Sequence, residues 1–137
     1  MTMPADSGLD TTTSTAPPGP GVDVVVSDAG GGAYVCSLGG DLDLETLAPA
    51  AEALRTLVDR RPDTVVVDLA GVGFCDSSGL NLLLRTRLAA GSAGVAFHLA
   101  AAPPGVMRVL ELTGALSVFS LYPSVEAAVP GRNRGPE

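Results

Sequence analysis

An α/β domain built on a mixed sheet is the fold class the sequence predicts, and three observations predict it. The apolar runs are short and β-branched, helix-length amphipathic stretches separate them, and the first two runs face each other across a glycine-rich turn. With 137 residues, 46% of them apolar, the chain can bury the core of one domain but not of two.

Residues 22–27 read as a strand and 33–38 as its hairpin partner, across Asp28-Ala29-Gly30-Gly31-Gly32. A helix follows Gly39-Gly40-Asp41, with Leu44, Leu47, Ala51, Leu54 and Val58 recurring at the three- and four-residue steps of one buried face. Pro49 falls in or near its first turn if Asp43 or Thr46 caps the start. Residues 63–69, DTVVVDL, are apolar at consecutive positions, which predicts a central strand covered on both faces. A second helix follows Asp76, with Leu80, Leu83, Leu84 and Leu88 inward, Arg85 and Arg87 outward, and Gly91 and Gly94 at its end. Residues 95–100 form the next strand. Pro103 and Pro104 open a third helix through Leu112, which Gly114 terminates. Residues 115–121 give a final strand, and Ser124 starts a short last helix. The total is a mixed sheet of four to five strands with about four helices packed on it.

The domain is thus expected over 22–129. The segment 1–21, rich in Thr, Ser, Pro and Gly, and the segment 130–137 have no periodic apolar pattern and are expected to be flexible tails. Residues 1–21 contain neither a basic start nor an apolar run, and no stretch reaches the roughly 18 apolar residues of a membrane span. A soluble, cytoplasmic protein is expected. Fifteen acidic against eight basic residues give a net charge of −7, which repels a phosphate backbone and excludes nucleic acid as partner. All basic residues are arginine; the absence of lysine removes Schiff-base and phosphate-loop chemistry. Cys36 and Cys75 each lie in or beside an apolar run and are read as buried free thiols.

The stretch 65–84, VVVDLAGVGFCDSSGLNLLL, carries the chemistry. It runs from a buried strand through a small-residue loop into a helix, with hydroxyls at the junction. Ser77 is expected at the N-cap, where the first N–H groups of a helix lack internal partners. A phosphate on that oxygen would gain from the N–H groups of Gly79 and Leu80 and from the helix dipole. It would also set about −1.5 to −2 charge beside the Asp76 carboxylate.

Gly40-Asp41-Leu42-Asp43, Asp76-Ser77-Ser78-Gly79-Leu80 and VMRVLELTGALSVF over 106–119 stand in order along the chain. Together they resemble the STAS domain of bacterial anti-sigma-factor antagonists, over residues 22–129. The resemblance implies the STAS fold, no catalytic residues and no cofactor. It implies that the unmodified chain binds an anti-sigma factor that is itself a serine kinase, freeing a sigma factor. That kinase would phosphorylate Ser77 to dissociate the complex, and a serine phosphatase would reset it. Asp41, Asp43, Asp76, Ser77, Ser78 and Gly79 are the expected partner-binding residues; Asp43 is read equally well as a helix cap. Asp41 stands where many relatives carry glutamate. Other uses of the same domain are as an interaction subunit of a lipid transporter or of a stress-sensing scaffold, where Ser77 need not be modified.

Competing chemistries do not fit. A serine hydrolase needs a base, but the one histidine, His98, lies inside a strand pattern, and Cys75 stands where a nucleophile elbow needs glycine. One histidine and two separated cysteines make no metal-site spacing. A phosphoacceptor receiver centred on Asp68 lacks its lysine and its acidic pair. Gly30-Gly31-Gly32 precedes a strand, so it reads as a hairpin turn and not a phosphate loop.

Overall fold

The computed structural model describes residues 22–130; apart from Pro130, the two segments expected to be flexible tails lie outside the described residues. In chain order the elements are β1 (Val22–Gly30), β2 (Ala33–Leu42), α1 (Ala48–Asp59), β3 (Thr64–Cys75), α2 (Ser77–Ala93), β4 (Ala96–Ala100), α3 (Pro104–Leu112), β5 (Ser120–Tyr122) and α4 (Val125–Ala128). The strands lie side by side in the order of the chain. β1 and β2 form an antiparallel hairpin, and every later neighbour is parallel. The expected mixed α/β sheet is the observed one.

Each parallel step moves the same way across the sheet, so right-handed crossovers place α1, α2 and α3 on one face. The larger core lies there, where Cys36, Leu38, Leu42, Val65, Val67, Leu69 and Leu99 meet Leu54, Leu83 and Leu110 of the helices. On the opposite face a smaller core joins Ala33, Val35, Val66 and Ala100 to Ala128 and Val129 beside α4. The central strand explains the unbroken run at 65–67. Val65 and Val67 face one core and Val66 the other, all fully buried, each contributing on the order of 1.5–3 kcal/mol.

Several boundaries differ from the sequence reading, each for a local reason. β1 runs on to Gly30 because Gly30, Gly31 and Gly32, all at positive φ, tighten the turn. β2 runs on at its other end to Leu42 because Gly39, Gly40, Asp41 and Leu42 pair with Gly71, Val72, Phe74 and Cys75 of β3. α1 starts only at Ala48. Its N-cap is Leu47 without a side-chain bond, so neither Asp43 nor Thr46 caps it, although Pro49 does sit in the first turn. Pro49 has no N–H to give to a carbonyl four residues back, so the helix cannot extend upstream. Leu44 is consequently left in the preceding turn, 73% exposed, and not on the buried face. On α2, Leu80 and Leu83 are buried and Leu84 is half-buried, but Leu88 is 65% exposed. Thr86 takes the inward place, its hydroxyl donating to the Leu82 carbonyl at 2.8 Å, a self-satisfied polar group that a hydrophobic pattern does not show. Gly91 remains helical, and Gly94, left-handed at φ 76°, is the actual C-cap. The expected strand over 115–121 shrinks to Ser120–Tyr122. Ala115 and Leu116 both donate to the Leu110 carbonyl to close α3, and Ala115 and Phe119 enter the core from a turn.

His98 is a strand residue whose Nδ1 lies 3.0 Å from the Ala128 carbonyl, tying β4 to α4. Among the described residues no group of three or more His, Cys, Asp or Glu could hold a metal ion, and no helix is long and apolar enough to cross a membrane.

Both cysteines are buried free thiols. Cys36 pairs with Val67 and Cys75 with Leu42 on the neighbouring strand, so about 20 Å of strand separates them, far beyond disulfide reach. Burial pushes the Cys36 thiol up to about 12 and, with the adjacent Asp76 charge, the Cys75 thiol up to about 11. A raised folded pKa means stabilisation that is complete below the usual thiol range and is lost as pH rises towards these values. Native protein should therefore resist alkylation by iodoacetamide at about pH 8 and react at two thiols only when denatured. Its stability should fall above roughly pH 9, a decline that the Cys36→Ala, Cys75→Ala double variant flattens. Mass spectrometry and denaturant titration read the two effects.

Candidate functional site

The site lies at the edge where β2 and β3 end together. Leu42 is paired with Cys75, Asp41 with Phe74, and the Asp76 N–H donates to the Leu42 carbonyl at 3.3 Å. The loop leaving β2 and the turn entering α2 therefore share one rim of the domain, and Asp41, Asp43, Asp76, Ser77, Ser78 and Gly79 are gathered along it.

The serine turn differs in one respect from the sequence expectation. Asp76, not Ser77, is the N-cap of α2; its backbone is extended, and its Oδ1 accepts from the N–H of Ser78 at 2.8 Å and of Gly79 at 3.1 Å. Aspartate caps a helix as well as serine does, and being one residue earlier it takes the position. Ser77 is thus the first helical residue and is exposed, whereas Ser78 is half-buried. The correction extends to the N–H groups proposed to receive a phosphate. Gly79 donates to the Asp76 carboxylate and Leu80 to the Asp76 carbonyl. What remains for a group on Ser77 is the positive end of the dipole of a 17-residue helix. Ser77, Ser78, Leu80, Asn81 and Leu84 line a shallow depression on the surface.

Gly79 is placed by sterics, not by an exposed surface: it is buried. A Cβ there would collide with the Leu42 carbonyl and would approach Leu42 Cγ and Cys75 Sγ at 3.0 Å. The bare α-carbon is what lets the first turn of α2 sit against the end of β2. The sequence reading did not find this contact; the signal was the glycine inside an otherwise helical segment.

Asp43 organises its own loop. Its Oδ1 accepts from the N–H groups of Glu45 and Thr46, both at 3.1 Å. The Thr46 hydroxyl lies 2.9 Å from that carboxylate and 2.5 Å from the Asp41 carbonyl, one proton serving both acceptors. The half-buried Asp43 side chain therefore fixes a turn ahead of α1, while Asp41 is exposed. Phe74, which the sequence reading passed over, is 52% exposed beside Asp41. The arrangement holds no nucleophile–base pair. It presents one accessible hydroxyl between two acidic loops.

The family described as "Mlab, STAS domain" matches residues 26–118. The anti-sigma-F factor antagonist RsfB of Mycobacterium tuberculosis is 34% identical over 114 residues, covering 83% of this chain and 92% of that protein. An anti-sigma factor antagonist from Mycobacterium paratuberculosis, known as a crystal structure, is 32% identical, with a TM-score of 0.72 over 78% of this chain and 90% of that one. The anti-sigma factor antagonist SpoIIAA in its unphosphorylated form shares the fold at 20% identity, with a TM-score of 0.65 over 77% of this chain and 91% of that one.

The geometry sets stability expectations for the turn. Gly79→Ala should destabilise the domain by about 2 kcal/mol or more, since backbone and not a flexible side-chain end meets the new methyl. Asp76→Ala should cost about 1 kcal/mol through loss of the cap, and Asp76→Asn markedly less, because asparagine caps as well. Ser77→Ala should cost little. Urea titrations of the four variants check the ranking.

Proposed function

This chain belongs to the STAS domain family, and from that premise we propose that it is an anti-sigma factor antagonist switched by phosphorylation of Ser77. The unmodified form binds an anti-sigma factor with serine kinase activity and so releases a sigma factor. The kinase transfers a phosphoryl group from ATP to Ser77, the complex separates, and a serine phosphatase restores the binding form. The cytoplasm is the compartment this requires. Within this scheme the chain is a substrate and a ligand, and it supplies no catalyst.

The observation that carries the reading is the exposed Ser77 at the first turn of α2, with the Asp41–Asp43 loop on the same rim. A kinase needs an accessible hydroxyl, and Ser77 is exposed where Ser78 is half-buried with its N–H committed to Asp76. A phosphate at Ser77 brings about −1.5 to −2 charge next to Asp76. Any partner that has closed over the rim must then desolvate and accommodate that charge, and each 1.4 kcal/mol is about a tenfold loss of affinity. The curated mycobacterial relative, named as an anti-sigma-F factor antagonist, aligns over nearly its whole length and supports the same assignment.

The test is a pull-down from cell extract with wild type, Ser77→Ala and Ser77→Asp, followed by identification of what is retained. The Ala form should keep an anti-sigma factor and the Asp form should lose it. Incubating wild type with that factor and ATP should add one phosphate, mapped to Ser77 by fragmentation. Equal retention by both forms would overturn the switch and favour an unmodified interaction subunit of a transporter or scaffold. Phosphate mapped to Ser78 alone would overturn the choice of serine.

A further inference from the structure

The sheet face opposite the three long helices is only partly covered. α4 lies over Ala33, Val35, Val66 and Ala100, towards the start of the parallel strands. Beyond it the face runs open to the rim where Ser77 stands. Strand pairing sets Asp23, Gly39 and Gly71 in one row and Asp41 with Phe74 in the next. Two register shifts, one ahead of the Gly39 row and one between the rows, each insert a residue into β3, so that Gly71 and Phe74 come to lie on one side with Gly39 and Asp41.

The row of glycines is bare backbone. A Cβ at Gly71 would stand 3.1 Å from the Leu38 carbonyl and 3.2 Å from the Gly39 α-carbon, so no side chain fills this floor. At its margin Phe74 is 52% exposed and belongs to neither buried cluster. Asp23 and Asp41 flank the floor and are both exposed, and among the described residues the single ion pair is Arg55 with Glu52, elsewhere on α1. Asp68, on the same face, is already engaged, accepting from the Ser37 hydroxyl and the Ala70 N–H.

We propose that this open patch is a second docking contact: Phe74 enters an apolar pocket of the anti-sigma factor whose rim carries arginine or lysine side chains facing Asp23 and Asp41. The inference rests on the function proposed above and extends its interface from the Ser77 rim onto the sheet. The occupant follows from charge. A second copy of a chain with net charge −7 would set carboxylate against carboxylate around the aromatic, whereas a basic rim neutralises both. The patch is also continuous with the proposed interface, since β3 passes from Phe74 directly into the Asp76–Ser77 turn. An exposed aromatic ringed by polar groups is the kind of residue on which interface energy concentrates. Phosphorylation at Ser77 leaves this contact chemically unchanged, so it supplies affinity and partner choice without being part of the switch.

The experiment measures affinity for the purified anti-sigma factor retained by the Ser77→Ala form, at low and high salt. Phe74→Ala should weaken binding about tenfold. The Asp23→Asn, Asp41→Asn double variant should weaken it at low salt and flatten its salt dependence. Unchanged urea midpoints show that both variants are folded, as exposed positions allow, and Phe74→Leu should restore part of the affinity. Wild-type affinity in Phe74→Ala and in the double variant, with Ser77→Asp still unable to bind, would overturn the patch and leave the switch intact. Weakened binding by the patch variants with Ser77→Asp binding like wild type would support the patch and overturn the switch. If Phe74→Ala instead dissociates a homodimer seen in sedimentation, the occupant is a second copy and the proposal falls.

Discussion

The rim that carries Ser77 depends on how closely the first turn of α2 approaches the end of β2 at Gly79. With no side chain at that α-carbon, the helix starts against the Leu42 carbonyl and the Cys75 sulfur, and the neighbouring Asp76 N–H completes the contact by bonding Leu42. The parallel pairing of β2 and β3 then brings the exits of both strands to the same side. Two loops far apart in the chain become one surface because strands that run the same way must end together. Asp43 stiffens one loop from within, and Asp76 stiffens the other. The serine between them is held by its surroundings and yet contributes little to them.

That separation of duties suits a charge-operated device. Carboxylates that hold the turns are engaged with backbone N–H groups, which satisfies them locally. The hydroxyl stands outside these bonds, so altering it need not disturb the core beneath. In energetic terms, core valines at 65–67 secure the sheet and caps of about 1 kcal/mol secure the rim. A modification that would be costly in the middle of α2 is tolerable at its first residue, where the helix dipole favours negative charge.

Much of this architecture was legible from residue pattern alone, because the central strand has consecutive valines and the turns carry glycine and proline at the positions their geometry requires. Element order and type followed from that. Other features were not legible. Leu44 carries the right spacing for a buried face but falls in the turn ahead of α1, and Leu88 carries it but lies outside that face, since periodicity measures relative angle and cannot fix which of several leucines meets the sheet. Thr86 is buried because it satisfies its own hydroxyl within the helix. The exchange of roles between Asp76 and Ser77 is a choice between two equally good caps that differ by one residue, and boundaries are the weakest part of any pattern-based reading. The rim residues were proposed from motif resemblance and spacing, and the structure brings them to one edge; the exposure of Phe74 was not foreseen, because an aromatic beside a cysteine at a strand end reads as core.

The carboxylate of Asp76 occupies the donors at the start of α2 before any phosphate arrives. A phosphoryl group on the next residue, as proposed for the switch, would find the Ser78 and Gly79 N–H groups already engaged. The message is written where only a visitor can read it. In the proposed switch the tempo would then be set by encounters between molecules and by the enzymes that would add and remove the group.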